Sequence, residues 1–136
     1  MAHRGEKTKG RLEAEISEAV TRFEKEYIGR GPAETKTYLI DDLVVVRLRG
    51  VLTPAEHQLA TGGGDSRGRE LVKQVRLALI EKARPLLETV VEQATGRRVT
   101  SLYTDMSTVS GQQVIVFELV APPDVRPTER PPATGH

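Results

Sequence analysis

The segment "TKTYLIDDLVVVRLRG", Thr35 to Gly50, leaves its backbone little choice. Two runs rich in strand formers flank Asp41-Asp42, and a pair of short acidic residues between such runs is turn chemistry. In the second run Val44, Val46 and Leu48 fall on one face; Val45, Arg47 and Arg49 fall on the other, because strand side chains alternate. The pattern predicts a β-hairpin with strands over 34–40 and 43–50. A second hairpin lies in "RRVTSLYTDMSTVSGQQVIVFELV", with strands over 98–106 and 112–120 and a turn at Ser110-Gly111. Ile115, Phe117 and Leu119 share one of its faces, and Val114 and Val116 take the other. An isolated hairpin is barely stable in water, so both need a partner layer.

Helices supply it. In "GRLEAEISEAVTRFEKEYI" the residues Leu12, Ile16, Val20, Phe23 and Tyr27 recur at helical spacing, which predicts an amphipathic helix over 10–28. Gly29 and Gly31 end it and Pro32 prevents its continuation. After the first hairpin, Thr53 is an N-cap, Pro54 suits the first helical position and Glu56 completes a capping box, so a short helix is expected over 54–60. A longer helical stretch runs over 66–95. Val72, Val75, Leu79, Ala83, Leu86 and Val90 form its stripe, widened by Leu71, Ile80, Leu87, Val91 and Ala94. Pro85 predicts a kink or break near Lys82, and Gly96 ends the stretch.

The order helix, hairpin, helix, hairpin reads as two αββ units. The two hairpins share a Tyr (Tyr38 and Tyr103), an Asp soon after (Asp41 and Asp105) and a valine-rich return strand, as a repeated unit would. The expected fold class is α+β: a four-stranded, mainly antiparallel sheet with the helices packed on one face. Valines on the second face of two strands imply that this face is not fully solvated. A homodimer that stacks or extends the sheets would cover it; alternatively, the first helix or the short helix folds across it.

Composition limits the chemistry. The chain has no cysteine, which excludes disulfides, thiolate metal sites and cysteine nucleophiles. Its 20 basic and 19 acidic residues give a net charge of +1, against a dedicated polyanion binder, and aromatic residues are too few for a base-stacking platform. No nucleic-acid partner is expected. No apolar run approaches the ~18 residues that cross a bilayer, and the charged start "MAHRGEKTKGR" is not a secretory signal. A cytoplasmic location without membrane insertion follows as an expectation. Residues 1–9 are read as a flexible basic N-terminus, 10–120 as a single α+β domain, and 121–136, with five of the eight prolines, as a disordered tail.

Four groups of residues invite a functional reading. His57 lacks the nucleophile, the orienting acid and the second histidine at metal-ligand spacing that catalysis or metal binding requires, so neither a catalytic nor a metal role is assigned. "TGGGDSRGRE" precedes a helix as a phosphate-cradling loop does, but it follows a helix and lacks Gly-Lys-Ser/Thr, so it reads as a linker. Arg47 and Arg49 share one strand face. With Arg30 and the Arg97-Arg98 pair they make a candidate site for a small anion such as carboxylate, phosphate or bicarbonate, the residues chosen being Arg30, Arg47, Arg49 and Arg97. Charge on an edge strand also guards against aggregation. Asp41, Asp42 and Asp105 have the chemistry of acid/base pairs, but the first two are turn residues that bond local backbone. No cofactor is implied.

The chain also resembles a family of small bacterial proteins, the MpsC-like proteins. The resemblance covers about 7–120. It rests on the "GRGP" turn (Gly29 to Pro32), on "VRLRGVLTPAE" (Val46 to Glu56) and on the "DMST…G…VIVFEL" hairpin. The family is associated with a sodium-translocating, membrane-potential-generating system, near genes for a membrane complex linked to cation movement and inorganic-carbon uptake. The resemblance implies a cytoplasmic accessory or regulatory protein, peripheral to the inner membrane face. It carries over no catalytic residue. The "GGGDSR" insertion and the Pro-rich tail depart from the family pattern. Three readings follow: a non-enzymatic, dimeric accessory module of a membrane transport complex; a small-anion sensor; and an enzyme built on His57.

Overall fold

The computed structural model describes residues 7–62 and 66–126. The first helix, α1 (Lys9–Phe23), starts on Thr8, whose hydroxyl accepts from the backbone N–H of Arg11. The strands are β1 (Glu34–Ile40), β2 (Leu43–Arg49), β3 (Val99–Ser107) and β4 (Gln112–Leu119). Between the hairpins run α2 (Pro54–Thr61), α3 (Arg67–Lys82) and α4 (Arg84–Thr95). The sheet is antiparallel throughout, in the order β1-β2-β4-β3. The two return strands therefore meet at the centre and each hairpin's first strand is an edge, the arrangement expected of two αββ units.

Local chemistry explains most boundaries. The β1–β2 turn places Asp41 at φ 56°, a left-handed conformation that Asp tolerates. Thr53 and Glu56 form both bonds of the capping box, at 3.1 and 2.8 Å. The long helical stretch breaks at Ala83, and Pro85 sits in the first turn of α4, where its missing N–H costs nothing. Gly96 closes α4 at φ 72°. Gly68 lets α3 cross α2 closely, since a Cβ there would lie 2.0 Å from the Leu59 carbonyl oxygen.

Thr37, Leu39, Val44, Val46, Leu48, Ile115, Phe117 and Leu119 turn one sheet face inward. Leu12, Ile16, Val20 and Phe23 of α1 meet them, as do Val72 and Ile80 of α3 and Leu87 and Val91 of α4. Residues 121–126, expected to begin a disordered tail, instead lie along the domain. Arg126 N–H donates to the Lys7 carbonyl at 2.7 Å, Pro123 is buried and Val125 packs against the core. The apolar Val125 and the Arg126 N–H, which finds an acceptor on Lys7, account for this. The rest of the tail, 127–136, lies outside the described residues, as do residues 1–6 of the basic N-terminus.

Two details of the helical pattern differ from expectation and share one cause. Helix α1 passes into a π-helical turn over Glu24–Ile28, closed by the Gly29 N–H donating to the Glu24 carbonyl at 3.0 Å. Tyr27 is consequently half-exposed and stacks on Phe23, while Ile28 reaches the core. On α3 the buried line is Val72, Arg76 and Ile80, and Leu71 and Val75 point outward, as does Leu86 on α4. Both shifts bring a charge inside. Arg76 donates from one terminal nitrogen to Glu24 Oε1 at 3.2 Å and to Gln113 Oε1 at 2.7 Å, and Gln113 Nε2 donates to Thr104 Oγ1 at 3.1 Å. Arg76, Glu24 and Gln113 are 2%, 1% and 0% exposed. Burial pushes the Glu24 carboxyl above its ordinary pKa, opposed by the attraction of Arg76.

Removing one partner of such a pair strands the other's charge in the core, so Glu24→Ala should cost about 3–5 kcal/mol in urea denaturation. The pH dependence has a defined sign. With its folded pKa raised, Glu24 favours the folded state at low pH, where it is protonated in both states. That contribution falls as pH rises from the ordinary carboxylate value to the raised one, because the unfolded chain ionises first. Stability curves of the parent and Glu24→Gln should therefore converge or diverge only within that window, and parallel curves across it would refute the shift.

Candidate functional site

Among the described residues no helix packs on the second sheet face. Strand register assembles it in rows, with Glu34 and Arg49 of the first hairpin and Ser107 and Gln112 of the second at one end. The middle row is Tyr38, Val45, Val116 and Tyr103, one residue from each strand. On one side lie Lys36, Arg47, Val114 and Asp105; on the other lie Ile40, Leu43, Glu118 and Ser101. Tyr38, Ile40, Tyr103 and Val114 are exposed, and Val45 and Val116 are half-buried. An apolar band thus crosses a rigid four-stranded surface. The alternative cover, α1 or α2, is not found there: α1 lies on the inner face, where Ser17 and Thr21 bond Thr37 and Thr35.

Charge divides this surface between its halves. On β1 and β2 the outward positions carry Lys36, Arg47 and Arg49 against the single acid Glu34. On β3 and β4 they carry Asp105 and Glu118 with no cation. Arg49 pairs with Glu34 at 3.4 Å, and Arg47 Nε donates to Gln112 Oε1 at 2.8 Å. Lys36 stands directly across from Arg47, a like-charge pair that costs energy. Tyr103 donates to Glu118 at 3.1 Å. Asp105 accepts from the Met106 N–H at 2.8 Å and from Lys73, which reaches round the sheet edge to 3.1 Å. The Met106 bond first, and Lys73 second, hold the Asp105 carboxyl below its usual pKa.

The four arginines of the anion reading divide between the two ends of the sheet. Arg47 and Arg49 project from one face of β2, and Arg30 donates to the Gly50 carbonyl at 3.1 Å just beyond it. Arg97 precedes β3 at the opposite end, where it donates to the Pro122 carbonyl at 2.9 Å and approaches Asp124. Neighbouring Arg98 offers its carbonyl to the Val120 N–H. The acids are separated too: Asp41 turns the first hairpin and the Asp42 carbonyl accepts from Leu119 N–H, far along the sheet from Asp105. His57 is exposed on the first turn of α2. Among the described residues no group of three or more His, Asp or Glu is placed to hold a metal. Of the glycine-rich linker, residues 63–65 lie outside the described residues.

The sequence showed the valines of this face but not its completeness. Tyr38 and Tyr103, matched across the two hairpins by sequence, occupy its two edges, and only the register brings Lys36 beside Arg47 and Asp105 to the far edge. A smaller apolar groove of about 190 Å³ lies on the helical side, lined by Ala19, Phe23, Tyr27, Leu86 and Val90. It lies between α1 with its π turn and α4, and sequence periodicity does not reveal the π turn. Among the described residues no helix is long and apolar enough to cross a membrane.

Comparison with known proteins finds relatives by sequence. The uncharacterized protein YbcI of Bacillus subtilis (strain 168) is 40% identical over 113 residues, covering 83% of this chain and 89% of its own. YrhF of the same organism, also uncharacterized, is 27% identical over 107 residues, covering 76% of this chain and 83% of its own. No solved structure matches. The family model described as Na+-translocating membrane potential-generating system (MpsC) matches residues 8–120. That span runs from the N-cap of α1 to the end of β4, and the chain therefore belongs to the MpsC family.

Proposed function

We propose that this chain is a non-catalytic accessory protein, peripheral to the cytoplasmic face of the inner membrane, that serves a cation-translocating system linked to inorganic-carbon uptake. It acts by protein contact. The observation that carries this reading is the uncovered sheet face. Its apolar row sits on rigid strands, and most of the charges beside it are held by fixed partners, as in a surface that recognises another surface. The family's description supplies the kind of system served. A tagged chain recovered from native membranes in mild detergent is expected to bring integral subunits of such a system with it. A chain recovered only from the soluble fraction, with no membrane subunit, would overturn the assignment.

A second reading, a small-anion sensor, has its own support. Arg47 and Arg49 share a face with Lys36, and the three cations there exceed the single acid Glu34. Guanidinium groups suit carboxylate, phosphate or bicarbonate. Of the original four, Arg47 and Arg49 form the centre of such a site, Arg30 lies at its end, and Arg97 belongs to the other end of the sheet. Calorimetry with bicarbonate and phosphate tests it: binding is expected to weaken at least tenfold in Arg47→Ala/Arg49→Ala. Unchanged binding in that variant excludes the site.

A further inference from the structure

The uncovered sheet face is self-complementary, and we infer that it is covered by a second copy of this chain, stacked face to face about a two-fold axis parallel to the strands. The inference rests on reading this face as a protein contact surface and assigns that contact to a second copy, so contact with a membrane system falls to other surfaces of the pair. Rotation about such an axis lays β1 and β2 of one copy over β3 and β4 of the other. The row Tyr38, Val45, Val116, Tyr103 then meets itself reversed: Tyr38 faces Tyr103 and Val45 faces Val116. In the next row Lys36 faces Asp105 of the second copy. Arg47 then faces Val114 and Glu118 faces Leu43, so Lys36 with Asp105 is the opposite-charge pair that the register sets face to face.

Three observations favour this occupant. The apolar row is continuous from edge to edge, so stacking two sheets about 10 Å apart closes it as the two layers of a sandwich close. A two-fold contact uses one patch twice, so a charge on it is matched only where an opposite charge lies across the axis, as Asp105 does for Lys36. Lys36 and Arg47 repel each other in the single chain, and an arriving carboxylate relieves that repulsion. An anionic lipid surface fits less well, because Asp105 and Glu118 would face its phosphates.

Sedimentation equilibrium on the purified full chain tests the arrangement without reference to any membrane system. The expected species has twice the 15.0 kDa of one chain. Val116→Asp, at the centre, is expected to raise the dimer dissociation constant by roughly tenfold or more, with circular dichroism showing that the variant folds. Charge exchange provides a second and independent check. Lys36 and Asp105 lie on opposite edge strands, three strand spacings or about 14 Å apart, too far to pair within one copy. Lys36→Glu alone and Asp105→Lys alone should each weaken self-association, whereas an equimolar mixture of the two should recover it, because every cross-copy pair is then Glu with Lys or Lys with Asp. A parent chain that stays monomeric overturns the inference, and so does a dimer indifferent to Val116→Asp, a mixture that fails to recover association, or a monomer captured by anionic vesicles through this face. A monomeric result leaves recovery with membrane subunits to be judged separately.

Discussion

The contact of Arg76 with Glu24 and Gln113 joins three elements that otherwise meet only through apolar packing. Glu24 ends α1, Arg76 is the midpoint of α3, and Gln113 lies on the inner face of β4. Each is fully enclosed, so none of the three can move without exposing a charge to an apolar interior. Burying an ion pair is a poor source of net stability compared with hydrophobic packing. Its effect here is on position. Beside the β2–β4 ladder it adds a buried polar tie between the α1–β1–β2 half and the α3–α4–β3–β4 half, and the rotation of α3 that admits Arg76 turns Leu71 and Val75 outward. The π turn at 24–28 belongs to the same arrangement, since it begins on Glu24 itself. One nitrogen of Arg76, Nε, finds no acceptor among the described residues, which marks this contact as chosen for geometry at some expense of hydrogen bonding.

With the halves fixed, the sheet's two faces take different roles. The inner face is closed by all the larger helices, and α2 packs mainly on α3. Two αββ units related by an approximate two-fold through the centre of the sheet place β2 beside β4, leaving β1 and β3 as edges. The same relation puts Val45 opposite Val116 and carries Tyr38 to Tyr103. It does not preserve charge: the position of Arg47 corresponds to Glu118, and that of Ile40 to Asp105. The units match in shape and differ in electrostatics on the outer face. A duplicated fold kept only for stability has no need of that difference; a surface that must be recognised in one orientation has.

Much of this was legible in the sequence because the signals were local. Alternation about Asp41-Asp42 located both strands of the first hairpin, and Thr53, Pro54 and Glu56 located α2 by their hydrogen-bonding chemistry. Pro85 placed the break between α3 and α4. The failures were equally physical. Periodicity treats charged residues as solvent-facing, so Glu24 and Arg76 were passed over although each stands four residues from a core position, at Val20 and at Val72 and Ile80. Their partners lie 52 and 37 residues apart in sequence, beyond any local pattern. The anion reading grouped Arg97 with Arg47 by analogy between hairpins, whereas antiparallel register sends the equivalent ends of the two hairpins in opposite directions.

That last geometry also bears on how a small β-sheet with one bare face can remain a discrete object. An uncovered sheet invites indiscriminate stacking if it is uniformly apolar, and rejects every partner if it is uniformly charged of one sign. This face avoids both extremes through the order of its rows. Valines occupy the centre of the middle row and tyrosines its two ends, where exclusion of water rewards contact. Cations and acids occupy opposite sides, where they penalise a displaced or reversed approach more than they strengthen the correct one. Sliding one sheet by a single strand would set Lys36 over Val114 and take Asp105 away from the second copy's Lys36. Specificity on this surface therefore depends less on any one residue than on a register fixed by the interior, through the antiparallel pairing of β2 with β4 and the buried contact that holds the two halves together.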